Sequence, residues 1–121
     1  MGLCNSVYVT TKNTVNEHWC YDDDDLTLEI YHYWHHTLLH DWMHRLYLEK
    51  GGSIYDTYFG VVILAQSDLD RLESDIEARR LSNDAKAISK YSDKLHHDDC
   101  MLIDKARRAI AMGLTVFYSG H

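Results

Sequence analysis

Nine histidines fall within 121 residues, and four of them, His32, His36, His40 and His44, recur at intervals of four. On a helix that interval sets imidazoles on adjacent turns, the geometry with which two rings share one zinc ion. His36 with His40, or His40 with His44, satisfies it, and a third ligand would have to come from His96, His97 or Asp41. The pattern lacks the His-Glu-x-x-His and Cys-x-x-Cys spacings. A helix here must also bury a stripe of Leu38, Leu39, Trp42, Met43, Leu46 and Tyr47. From the centre of that stripe His36 lies roughly 80° away, His40 roughly 120° and His44 roughly 160°. His44 is thereby expected in solvent, and the ladder reads as a surface feature. No metal and no cofactor are expected.

The second concentration is aromatic. Tyr31-His32-Tyr33-Trp34-His35-His36 places six large groups in succession, more than one strand or bend can bury, so some must line a surface or a groove. Flat rings interleaved with imidazole donors can sandwich a planar base or a partner's side chain. Tyr33, Trp34, His35, His36, His40 and Arg45 are the candidate ligand-binding residues, whereas Trp42, Tyr47, Phe59 and Phe117 are assigned to the core. The sequence has no Walker loop, no GxGxxG and no GxSxG elbow, which leaves phosphoryl transfer, dinucleotide redox and hydrolase acyl chemistry without equipment. Cys4, Cys20 and Cys100 could each meet a histidine only through folding. No catalytic residue is assigned, and a non-enzymatic role is preferred.

Twelve Lys and Arg against nineteen Asp and Glu give a net charge of -7, which repels nucleic acid and argues against direct binding to it. No apolar run approaches the ~20 residues that cross a bilayer. Met1-Gly2-Leu3-Cys4-Asn5-Ser6 fits the pattern for an amino-terminal myristoyl group, but no polybasic stretch follows as a second membrane signal, and no membrane partner is expected. The odd cysteine count and the lack of a secretory leader point to a reducing cytoplasm. The length suits a single domain over residues 1–121.

These side chains need elements to hold them. Val7 to Thr11 and Leu26 to Trp34 read as strands, the latter with Leu26, Leu28 and Ile30 on its buried side. Lys12 to Asp25 reads as a loop closing on four aspartates, Asp22 to Asp25. Thr37 is a fair N-cap for the first long helix and Gly51-Gly52 its stop. Tyr58 to Leu64 is the most strand-like run, and its continuous apolar character suggests a central position. Ser67 is expected to cap a helix burying Leu69, Leu72, Ile76 and Leu81. Ser82 to Asp93 permits helix or strand. Asp98 and Asp99 open a helix whose inner face is Leu102, Ile103, Ala106, Ala109 and Ile110, and Leu114 to Tyr118 is a last strand. The expected fold is α+β, a small, mainly antiparallel sheet with about three helices on one face.

Glu29, Ile30, His36, Leu39, His40, Trp42, Met43, Leu46 and Tyr47 fit E-I-x-x-W-R-K-H-x-x-L-H-x-W-M-x-x-L-Y. This block, Glu49-Lys50-Gly51-Gly52, the Ser67 to Glu73 helix start and the run from Asp98 to Tyr118 occur in one order. In these blocks the chain resembles a family of small proteins of tailed bacteriophages and prophages often labelled phosphoglycerate kinase. A chain this short lacks the two lobes and the phosphate-cradling loop of that kinase. The family's Trp-Arg-Lys stands here as Tyr33-Trp34-His35, its FFFG segment is replaced by Ser82 to His97, and its closing tryptophans by Gly120 and His121. The resemblance implies a phage accessory protein working in the host cytoplasm.

The leading expectation is a counter-defence binding protein, as an oligomer of this chain, that sequesters a nucleotide-derived immune signal. Its base would stack on Tyr33 or Trp34, and its phosphates would meet His35, His36 or Arg45. A second reading sets the acidic residues Asp22 to Asp25 and Asp68 to Asp75 into a basic nucleic-acid site of a host defence protein, as nucleic-acid mimics among anti-CRISPR proteins do. A third is a metal-dependent hydrolase built on His36 and His40.

Overall fold

The computed structural model describes residues 4–11, 27–52, 61–82 and 84–120. Asp22 to Asp25, Cys20, Phe59 and the amino-terminal acylation pattern up to Leu3 lie outside the described residues. Four strands, β1 (Cys4–Thr10), β2 (Thr27–Trp34), β3 (Val62–Leu64) and β4 (Thr115–Gly120), form one sheet in the order β2-β1-β4-β3. All three pairings are antiparallel. Helices α1 (Thr37–Glu49), α2 (Gln66–Glu77) and α4 (Asp93–Ala111) and the single turn α3 (Ala85–Ile88) complete the α+β architecture.

Alternation along the strands divides the sheet into two faces. Val7, Val9, Tyr31, Val62, Leu64, Val116 and Tyr118 share one buried cluster with Leu39, Met43, Leu69, Leu72, Ile76, Leu102, Ile103 and Ala106 from the helices. On the other face Tyr8 and Phe117 stack at 5.4 Å. The register of β1 on β2 slips between Val7 and Tyr8, so that Ile30 is an extra residue on β2. This bulge resets the strand's alternation. Tyr31 is buried, whereas Leu28, expected inside, is 65% exposed.

Several element boundaries differ from expectation for physical reasons. The imidazole of His36, not Thr37, caps α1, accepting the Leu39 N–H at 3.4 Å. The stop at Gly51 is as expected, since its φ of 96° is open to glycine. Helix α2 starts at Gln66, ahead of Ser67, because Asp68 reaches back to accept the Ala65 N–H at 2.8 Å. Only Val62–Leu64 of the run ending at Leu64 is described as strand, and it holds an edge of the sheet, not its centre. Helix α4 begins at Asp93, capped by Ser92, whose hydroxyl accepts the Leu95 N–H at 3.1 Å. Asp98 and Asp99 therefore sit inside the helix.

Ion pairs tie the helices together on the outside. Lys50 meets Asp68 at 2.7 Å, Arg71 grips Glu49 with contacts of 2.7 and 3.1 Å, and Arg107 bridges Asp70 and Glu73 at 2.8 and 3.1 Å. The Arg71 guanidinium holds the Glu49 carboxyl below its ordinary range. Both are more than half exposed, so the pair contributes little stability.

Candidate functional site

The turn from β2 into α1 decides where the aromatic and histidine cluster goes. Tyr33 pairs with Asn5 and Trp34 with Cys4, so the two rings point to opposite faces of the strand. His35 then takes a φ of 62°, the left-handed region that a residue with a Cβ enters at a cost. The Asn5 side chain braces this corner: its Oδ1 accepts the His36 N–H at 3.0 Å and its Nδ2 donates to the His36 carbonyl at 3.0 Å. Trp34, 57% exposed, and His35 meet edge to face at 5.1 Å on the outer side, while His36 goes inward.

His36 enters a buried polar network centred on Asp99, which is 0% exposed. Three donors converge on the carboxylate: His36 Nε2 at 2.9 Å, the Tyr31 hydroxyl at 2.7 Å and the Tyr91 hydroxyl at 2.6 Å. His36 Nδ1 accepts the Leu39 N–H, so Nε2 is the nitrogen that donates to Asp99. Burial, reinforced by Asp99, pushes the Tyr31 and Tyr91 hydroxyls far above the ordinary phenol range. A second branch runs from Asn5 Nδ2 to the Tyr118 hydroxyl at 2.8 Å, which contacts His40 Nδ1 at 2.8 Å. Gly120 permits that approach, because a Cβ there would stand 2.7 Å from His40 Nδ1. His36 and Asp99 are both buried, and the network ties β2, α1 and α4 together through the interior.

The expected ligand set is therefore dispersed. His36 is 2% exposed and committed to Asp99, and His40 is turned toward Tyr118. Arg45 lies nine residues beyond His36, about 13 Å along the helix axis, and donates to the Leu81 carbonyl. His44, expected in solvent, is half-buried and stacked 6.4 Å from Tyr47. Among the described residues no group of three potential ligands could hold a metal ion.

Two of that set line cavities: Arg45 one of about 460 Å³ shared with Asp41, His44, Leu81, Ser82 and Asp84, and Tyr33 a cleft of about 400 Å³ between β2 and α4. One wall is Ile30, Tyr31, His32 and Tyr33; the other is His97, Asp98, Met101, Leu102 and Lys105. Tyr31 joins cleft and network, since it lines the first and its hydroxyl anchors in the second. Tyr33 stacks on Tyr31 at 6.1 Å and meets His36 edge-on at 5.7 Å. The sequence reading missed the α4 wall. A signal existed in the interval of seven between Asp98 and Lys105, which places both on one helix face with Met101 between them.

Cys100 is the one cysteine placed against a histidine among the described residues, its Sγ 4.0 Å from His96 Nδ1. Burial, followed by the Asp99, Glu77 and Glu73 carboxylates, pushes its thiol up, which opposes formation of a thiolate nucleophile. No family model matches this chain, and no curated protein or solved structure does so either.

Proposed function

We propose that this chain is a non-enzymatic phage accessory protein that binds and sequesters a nucleotide-derived signal of host defence. The observation that carries the reading is the β2–α4 cleft, lined on one wall by Tyr31 and Tyr33, whose rings stack, and on the other by Lys105. A planar base fits against Tyr33, and Lys105 and His97 offer donors to phosphate. The likeness to phage proteins supplies the setting. The commitment of His36 to a buried carboxylate weighs against the hydrolase reading. The mimic reading is weakened on α2, where Asp68, Asp70 and Glu73 face cations and Asp75 accepts from Trp42 Nε1 at 2.8 Å.

A thermal-shift panel of mononucleotides, cyclic dinucleotides and ADP-ribose derivatives tests the proposal. A ligand at a hundred times its Kd stabilises the fold by about 2.7 kcal/mol. The Tyr33→Ala variant should lose that shift while Trp34→Ala keeps it. Silence across the panel, with capture of a host nuclease subunit, would favour the mimic.

A further inference from the structure

The arrangement of the α4 wall carries the reading to a ligand class. Asp98 and Lys105 both line the cleft, and neither has an ion-pair partner among the described residues. They stand two helical turns apart on one face, a separation of about 10 Å. Between them lie Met101 and Leu102, an apolar floor. The cleft thus offers a carboxylate at one end, an ammonium at the other and apolar surface between. Its charges call for a ligand with N–H donors at one end and an anion at the other, joined by a flat apolar middle.

The two ends can be told apart. Tyr33 meets His36 edge-on, and His36 is bonded to Asp99, the neighbour of Asp98. The stacking ring therefore marks the Asp98 end, and Lys105 is the far end. A base on Tyr33 would direct its edge at the Asp98 carboxylate, which only accepts hydrogen bonds. Guanine presents two adjacent donors, N1–H and the N2 amino group, and fits that requirement. Adenine presents an amino donor beside an acceptor and leaves one carboxylate oxygen facing a lone pair. The volume of about 400 Å³ is near the lower end of the roughly 300–1,000 Å³ of ligand sites, room for one nucleotide unit.

We propose that the β2–α4 cleft binds a single guanine nucleotide unit, base edge on Asp98, base face on Tyr33 and phosphate on Lys105. This rests on the nucleotide-binding reading above. The unit could be a free mononucleotide or half of a cyclic dinucleotide shared by two copies of the chain, and stoichiometry distinguishes them.

Isothermal titration of the full chain with GMP, AMP, guanosine and cyclic di-GMP is the test. GMP should bind at least about tenfold more tightly than AMP, the discrimination of one good bidentate contact. Asp98→Asn should abolish that preference while retaining AMP binding, and Lys105→Gln should reduce GMP to the affinity of guanosine. One GMP per chain identifies the mononucleotide; one cyclic di-GMP per two chains, with tighter binding, identifies the shared ligand. Equal affinity for GMP and AMP, or an Asp98→Asn variant with its guanine preference intact, overturns this assignment and leaves nucleotide binding standing. Failure of every nucleotide to bind removes both.

Discussion

Asp99 occupies a position on α4 that its neighbours fill with apolar side chains. It is in helical phase with Leu102, Ile103 and Ala106, all buried, and is tolerable there because Tyr31, Tyr91 and His36 each donate to it. Leaving a buried donor without an acceptor costs roughly 1–3 kcal/mol, so Asp99→Ala, which orphans three, should lose several kcal/mol. That is a large part of the ~5–15 kcal/mol that stabilises a domain. Urea unfolding monitored by circular dichroism would measure it, and a loss below 1 kcal/mol would mean that the network is dispensable. The same residue explains an error of sequence reading. A carboxylate in that place resembles the acidic first turn of a helix, so Asp98 and Asp99 are taken as a start. The competing sign was phase: an acid on a buried stripe requires hydroxyl and imidazole partners, and no periodicity says which ones.

Among the elements, the β2–α1 corner sets what is displayed and what is hidden. Its left-handed residue is His35, and the brace is Asn5. Replacing His35 with glycine removes the Cβ conflict and should raise stability by up to about 1 kcal/mol, leaving ligand binding in the cleft unchanged because His35 lies on the other side of β2. Asn5→Ala should do the reverse, lowering the melting temperature by releasing three hydrogen bonds in the interior. A single thermal melt of each variant checks both signs. The strands and the three long helices were legible from period and composition, and the inner faces of α2 and α4 were named nearly residue for residue. The sidedness of β2 was not, because the bulge at Ile30 shifts the alternation and only the partner strand reveals it. For the same reason the hexad Tyr31 to His36 was identified as a ring cluster, but its division between the interior, the cleft and the outer surface was not.

Across the whole molecule, three hydroxyls that hold the interior together respond to alkali. Burial raises the Tyr31, Tyr91 and Tyr118 hydroxyls above the ordinary value near 10. The folded state therefore retains protons that the unfolded chain releases, and stability is fully present below about pH 10 and falls as pH rises beyond it. Tyrosinate absorbance and loss of ellipticity should rise together in one transition for these three residues. Ionisation of all nine tyrosines without unfolding would contradict their burial.

The central claim is that the molecule's binding surface is the cleft between β2 and α4. Two methionines provide an internal comparison: Met101 lines the cleft and is 44% exposed, whereas Met112 is 76% exposed and does not line it. Methyl resonances of both, followed while GMP and AMP are titrated into the protein, test the claim most directly. A saturable shift of Met101 with Met112 stationary is the expected result. A stationary Met101 at saturating nucleotide, or equal movement of the two, would contradict it.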